Sequence, residues 1–265
     1  MLTASLNYQI ISRNLEKTLE NTSQKPAVET ATEKFRASLS SIKTVDDFMA
    51  SDEVYQYAVK AYGLEDMAYA KAYIRKVVSE GVTDSDSFAN KLTDSRYKAL
   101  ASAFTFDEDG NATFDASTLE QTVVDKYTRQ TLEEDAGDQN EGTRLALYFQ
   151  RKAEAGEITS AYSILADEAL LEVAQTALGF DSSTGSIDID KLADMYGDRI
   201  DIEDLQDPEE LDKFLKQFLA MYDMENDSSS TAASNPAVQV LTGSATTLGL
   251  DSSLLLTLQT LRSKG

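Results

Sequence analysis

The chain has 265 residues with 24 basic and 46 acidic side chains, a net charge of −22, and neither cysteine nor histidine. Those absences remove disulfides, thiol nucleophiles, zinc sites of the usual type and imidazole proton transfer, leaving carboxylate, lysine, tyrosine and serine chemistry. So acidic a chain is repelled by phosphate backbones and anionic lipid surfaces, so no nucleic acid and no membrane surface is an expected partner.

Three prolines and twelve glycines are few for this length. Both residues penalise helix interiors, glycine by about 1 kcal/mol and proline by roughly 3, so their scarcity suits long helices. From Ala4 to about Asn21, Tyr8, Ile11, Leu15 and Leu19 recur at steps of three, four and four, which predicts one amphipathic helix closed by Pro26. The opening MLTASLNYQIISRNLEK has neither the basic end nor the apolar core of a secretory signal, so synthesis in the cytoplasm without a cleaved leader is expected. No window approaches eighteen apolar residues, and no membrane insertion is expected.

Residues 28–40 predict a second, more polar helix. Thr44, with Asp47 three residues on, forms a capping-box pattern at the start of a third. The stretch VYQYAVKAYGLEDMAYAKAY (54–73) then sets lysines among tyrosines. It reads either as a stacking platform for single-stranded nucleic acid or as one face of a helical core. Val54, Tyr57, Ala58, Ala61 and Tyr62 form a helical stripe, and Gly63 falls where a left-handed C-cap belongs. Met67, Ala70, Ile74, Val77 and Val78 continue the apolar pattern to Gly81. Residues 84–88 read as another helix start, with Phe88, Leu92, Leu100 and Phe104 as core positions beyond it.

A long helix is predicted over 119–134, a polar loop over 135–142 (DAGDQNEG), and a further helix over 143–156 bearing Leu145, Leu147, Tyr148 and Phe149. Asp207-Pro208-Glu209-Glu210 is a strong helix start, with aspartate at the N-cap, proline at the first position and acids in the first turn. It leads into the 3.6-period face of Leu211, Phe214, Leu215 and Phe218. Residues 226–236 (NDSSSTAASNP) are low in complexity. Beyond them Leu250, Leu254, Leu258 and Leu261 repeat at four, four and three.

Two segments align without a gap at an offset of 116, VDDFMASDEVYQYAVKAYGL (45–64) and AYSILADEALLEVAQTALGF (161–180). Apolar character, small residues and the glycine recur, while Tyr57 is matched by Val173. Replacement of tyrosine by an aliphatic residue favours the core reading of the tyrosine stretch.

The candidate sites are weak. FDEDGNATFD (106–115) offers Asp107, Asp109 and Gly110 to an EF-hand loop, but the first and twelfth ligand positions fall on Thr105 and Ala116, so a turn or tiny hairpin is expected there. FDSSTGSIDID (180–190) is poorer still. The acid pairs Glu133-Glu134 and Glu203-Asp204 are expected at solvated helix ends rather than in a catalytic cleft. No catalytic, cofactor-binding or metal-binding residue is assigned, and no cofactor is expected.

The phrases YAVKAYGLEDMAYAKAYIRKVVSEGV (57–82), DSFANKLTDSRYKALASAF (86–104) and NEGTRLALYFQRKA (140–153) together resemble an uncharacterised bacterial family, found mainly in alphaproteobacteria, whose genes tend to lie in flagellar gene clusters. The resemblance runs over about 45–223 and supplies context but no site residues. It implies a flagellum-associated, non-enzymatic structural or assembly protein with flagellar proteins as partners, exported without a cleaved signal. The alternative is an acidic helical chaperone or regulator of flagellar subunits that stays in the cytoplasm. Its binding stretch would be 181–225, where fourteen acids against four bases leave −10. By contrast, residues 51–100 carry eight acids and seven bases, net −1. An enzyme using carboxylate or lysine chemistry is the remote alternative.

The expected architecture is all-α, a multi-helix bundle of two related helical subdomains with at most short hairpins between helices. It divides into N-terminal amphipathic helices (1–43), subdomain 1 (44–140), an acidic subdomain 2 (141–225), a linker (226–236) and a C-terminal amphipathic helix (237–265). Oligomeric state is not legible.

Overall fold

The computed structural model describes residues 2–180 and 187–226. Among them are fourteen α-helices: α1 (Ala4–Ser12), α2 (Leu15–Ser23), α3 (Pro26–Leu39), α4 (Val45–Ala50), α5 (Asp52–Ala61), α6 (Lys71–Glu80), α7 (Phe88–Lys91), α8 (Ser95–Ala103), α9 (Ala116–Gln139), α10 (Glu141–Glu154), α11 (Ala161–Leu165), α12 (Glu168–Leu178), α13 (Ile189–Gly197) and α14 (Pro208–Asn226). No strand occurs among the described residues; the only sheet-like pairings are isolated bridges, Thr44 to Asn111 and Phe106 to Ala112. The fold is all-α, as the pattern predicts. By contacts, Met1–Tyr222 is one unit and Asp223–Gly265 a second, of which only 223–226, the end of α14, are described. The low-complexity stretch from 227 and the leucine stripe of 250–261 lie outside the described residues.

Two apolar cores lie within the first unit. Phe35, Phe48, Tyr55, Ile74, Leu100 and Phe104 centre one, drawn from α3 to α8 and the start of α9. Leu145, Phe149, Ile164, Tyr196, Leu215 and Phe218 centre the other, drawn from the end of α9, α10 to α14 and also α1. The 24-residue α9, about 36 Å long at 1.5 Å per residue, serves both. Leu119 and Val123 enter the first core, and Leu132 and Ala136 the second.

Local signals explain most boundaries. Thr44 accepts a hydrogen bond from the Asp47 amide (3.1 Å), and Asp47 accepts from the Thr44 amide (2.9 Å), completing the capping box of α4. Asp207 accepts from the amides of Glu209 and Glu210 at the start of α14. The segments related by the 116-residue offset share one local build. Ser51 caps α5, and Asp167, its counterpart, caps α12. Gly63 (φ 69°) and Gly179 (φ 65°) end those helices left-handed. Leu64 then donates to the Val59 carbonyl (2.7 Å) and Phe180 to that of Gln175 (2.9 Å), the six-to-one bond of a Schellman cap. Phe48 and Ile164, Val54 and Leu170, Tyr57 and Val173 are buried at matching positions.

The structure corrects three boundaries. The single helix expected over 4–21 is α1 and α2, broken at Asn14 (φ −132°, ψ 40°). Asparagine readily leaves a helix because its side chain competes for backbone partners, and the break lets α1 lie on α10 while α2 lies on α9. Pro26 does not close a helix; it opens α3 at the first position, where its missing N–H costs nothing. The loop expected over 135–142 is helical except at Asn140 (φ −163°, ψ 116°). Its polar residues suggested a loop, but Ala136 and Gly142 turn inward and are buried, which a solvated loop would not allow.

Candidate functional site

The tyrosine stretch is core. Tyr57 stacks between Phe35 (centroids 4.3 Å apart) and Tyr127 (3.8 Å), and its hydroxyl shares a hydrogen bond with Thr32 (2.8 Å). Tyr55 is fully buried and donates to the Ala68 carbonyl. The interleaved Lys60 pairs with Glu134 and Glu65, and Lys71 with Asp52. Among the tyrosines of this stretch only Tyr69, 82% exposed, stands in solvent.

Burial pushes the hydroxyls of Tyr57 and Tyr62 up to about 12. A group whose folded-state value is raised contributes stability that is complete below its unfolded value, about 10, and lost as pH climbs through the folded one. With no histidine to titrate near neutrality, the urea midpoint is expected to stay level across the histidine range. It should fall from about pH 10 upward, in step with tyrosinate absorbance. A midpoint insensitive to pH up to the tyrosinate transition and through it would refute the assignment.

The turn at 106–115 uses its acids internally. Asp107 accepts from the amide (2.7 Å) and side chain (3.1 Å) of Asn111, and Asp115 caps α9 through the amides of Ser117 and Thr118. Among the described residues no three acidic side chains gather as metal ligands. Glu203 and Asp204 are exposed, as expected of solvated acids. Glu133 is not: it lies on the inner face of α9 and is 1% exposed. There it accepts from Arg129 one turn earlier (2.9 Å) and from Arg151 of α10 through both its oxygens (2.7 and 2.8 Å). Arg129 also donates to the Leu147 carbonyl (3.0 Å).

Beside this buried triad, a cleft of about 910 Å³ opens where the end of α5, the start of α8, α9, α10 and the α11–α12 junction converge. Helix caps shape its walls. Asp94 caps α8 and grips Arg96 through both carboxylate oxygens, while Arg96 also donates to the Gly63 carbonyl. Burial raises the Asp94 carboxyl, but Arg96 outweighs it and holds the group below its ordinary value. Tyr148 donates to Asp167 (2.5 Å), whose other oxygen caps α12; burial first, and Asp167 second, push that tyrosine far up. Lys152, buried, pairs with Glu157, and Arg144 with Glu141.

Lys126 on α9 stands apart. Its ammonium lies 5.4 Å from the Tyr62 ring centroid and makes no hydrogen bond or ion pair among the described residues. Burial lowers its pKa, and Arg151 and Lys152 add to that, against an opposing pull from Glu157. At the other end of the cleft Glu172 is raised by burial and by Glu141 and Glu168, despite Arg144. The cleft therefore has a basic end and an acidic end. Sequence reading does not find it, since its residues come from separated stretches; the spacing of Glu141 and Arg144, one helical turn apart on its wall, is a local signal.

The fold and its charged cleft define an all-α, multi-helix protein without a recognisable catalytic constellation among the described residues. The chain belongs to the family described as a protein of unknown function, DUF1217, whose model matches residues 61–211. It is similar to the X-ray crystal structure of protein AGR_C_984 from Agrobacterium tumefaciens, an alphaproteobacterium, a structural genomics target. The two share 46% identity at a TM-score of 0.73, over 83% of this chain and 92% of that one. No curated protein matches the chain. No helix among the described residues is long and apolar enough to cross a membrane.

Proposed function

We propose that the protein works by binding other protein chains, as a non-enzymatic structural or assembly component associated with the bacterial flagellum. The observation that supports it is the outer face of α1. Leu6 and Ile10, one turn apart on α1, are 46% and 52% exposed and form one stripe, and Leu2, 48% exposed, lies just before the helix. The opposite face is already fixed: Ala4, Tyr8 and Ile11 enter the second core, and Tyr8 donates to Gln150 (3.1 Å). Scattered exposed apolar residues are ordinary, but two aligned on a helix that does not need them for its own packing, with a third just before it, suit a partner. The flagellar context rests on the family resemblance over 57–104 and 140–153.

The second reading, an acidic chaperone or regulator retained in the cell, draws on Asp194, Asp198, Asp201, Glu203 and Asp207, all exposed. One experiment separates the two. The untagged protein is followed by antibody through cells, medium and purified flagella, with and without a working flagellar export apparatus. A tag placed in 135–142 would split α9 from α10 and is avoided. Export-dependent recovery with flagella, lost in Leu6→Asp/Ile10→Asp while helicity is kept, is the expected result. Retention in the cell unaffected by that pair of substitutions would sink the proposal; retention together with capture of flagellar subunits would establish the chaperone reading.

A further inference from the structure

We infer that the basic end of the cleft is a binding site for a small anion, with Lys126 as its principal charge. Each of the other cations lining the cleft already has a carboxylate partner: Arg96 has Asp94, Arg144 has Glu141, Arg151 has Glu133 and Lys152 has Glu157. Lys126 has none among the described residues. It shares its surroundings with Arg151 and Lys152, three cations lining one part of the cleft, where Glu133 and Glu157 are already engaged by Arg151 and Lys152 and Asp94 by Arg96.

An arrangement of like charges partly withdrawn from water is costly unless a counter-charge completes it. Solvent ions supply that weakly. A bound phosphate or carboxylate group would supply it directly, accepting charge-assisted hydrogen bonds from the ammonium. Tyr62 contributes a second element of recognition. The Lys126 ammonium lies 5.4 Å from its ring centroid, and Tyr62 itself lines the cleft. A volume of about 910 Å³ admits much more than a bare ion. The acidic end, with Glu168 and Glu172, would repel a polyanion, so the occupant carries its negative charge at one end only. Phosphate monoesters and small carboxylates share that chemistry. The overall charge of −22 does not forbid such a site, because a low-dielectric cleft focuses the nearest charges over distant ones.

The test uses the full chain at low ionic strength and inorganic phosphate as the probe, with acetate as the carboxylate comparison. Calorimetry should show saturable binding to one site. Lys126→Met, which removes the charge but keeps an unbranched side chain of similar length, should weaken it about tenfold or more, while Lys34→Met, on an exposed stretch of α3, should leave it unchanged. Resonances of the lysine Cε in labelled protein should shift for Lys126 on titration. Because burial and the neighbouring cations lower the Lys126 pKa, affinity should decline at a pH below the ordinary lysine range, as the ammonium is lost. Stronger binding of phosphate than acetate assigns a phosphate group; the reverse assigns a carboxylate. Absence of saturable binding of either probe, or equal affinity in the wild type and a folded Lys126→Met, overturns the site.

Discussion

Glu133→Ala is expected to destabilise the fold by about 3–5 kcal/mol, the cost of leaving a buried partner charge uncompensated. Glu133 is enclosed between α9 and α10, and two guanidiniums depend on it. Removing the carboxylate leaves Arg129, itself buried, with only the Leu147 carbonyl as a hydrogen-bond acceptor, and leaves Arg151 with Gln130 at a long 3.5 Å and the Tyr148 ring, 5.0 Å to its centroid. Both must then reach water by opening the junction of the two helices, which also carries Leu132, Leu145 and Phe149 of the second core. A different replacement should behave oppositely. Arg129→Met/Glu133→Leu/Arg151→Met removes all three charges at roughly conserved volume, and is expected to be neutral or more stable, because the desolvation of the ions disappears with their attraction. Urea unfolding followed by helical circular dichroism gives both numbers. If the alanine variant loses under about 1 kcal/mol, the triad is hydrated and the junction is not dry.

That triad also marks where sequence reading stops. Asp207-Pro208 and the Thr44–Asp47 box are legible because a cap is a local bargain between one side chain and amides two or three residues away. The tyrosine stretch is legible for a different reason. Tyr57 aligns with the aliphatic Val173 at the 116-residue offset, a pattern that suits an inward-facing position, and both are buried. Glu133 carries no such mark. Its sequence neighbours are Glu134 and Asp135, and only the angle around α9 decides that it faces Arg151 inside while Glu134 reaches Lys60 and Asp135 reaches Lys25 near the surface. The cleft is harder still, since Lys126, Arg96 and Lys152 meet through packing of α8, α9 and α10. The misjudged 135–142 region failed by composition. Polar and glycine-rich residues serve a loop, but they also serve two helices that pass close to their neighbours.

Gly142 shows how close that approach is. In a helix, alanine for glycine ordinarily gains about 1 kcal/mol. Here Gly142→Ala is expected to lose about 1–3 kcal/mol instead, as overpacking does. A Cβ at this position would stand 2.4 Å from Cδ1 and 2.6 Å from Cε1 of Tyr222 on α14. No real contact is that short, so the ring must move, and it is packed against Phe218 (centroids 5.7 Å) at the edge of the second core. If the clash is the cause, removing the ring should relieve it. Gly142→Ala/Tyr222→Ala should then cost at least about 1 kcal/mol less than the sum of the two single changes, a coupling expected only between touching residues. Gly197→Ala supplies the contrast: it ends α13 with nothing within 4 Å of the added methyl, and is expected to be neutral or to stabilise by up to about 1 kcal/mol. Additive costs for the pair at 142 and 222, measured by the same urea titration, would mean that α10 and α14 adjust freely. Non-additive costs would mean that the glycine is what allows α10 to begin with only Asn140 between it and α9 and still pack against Tyr222 of α14.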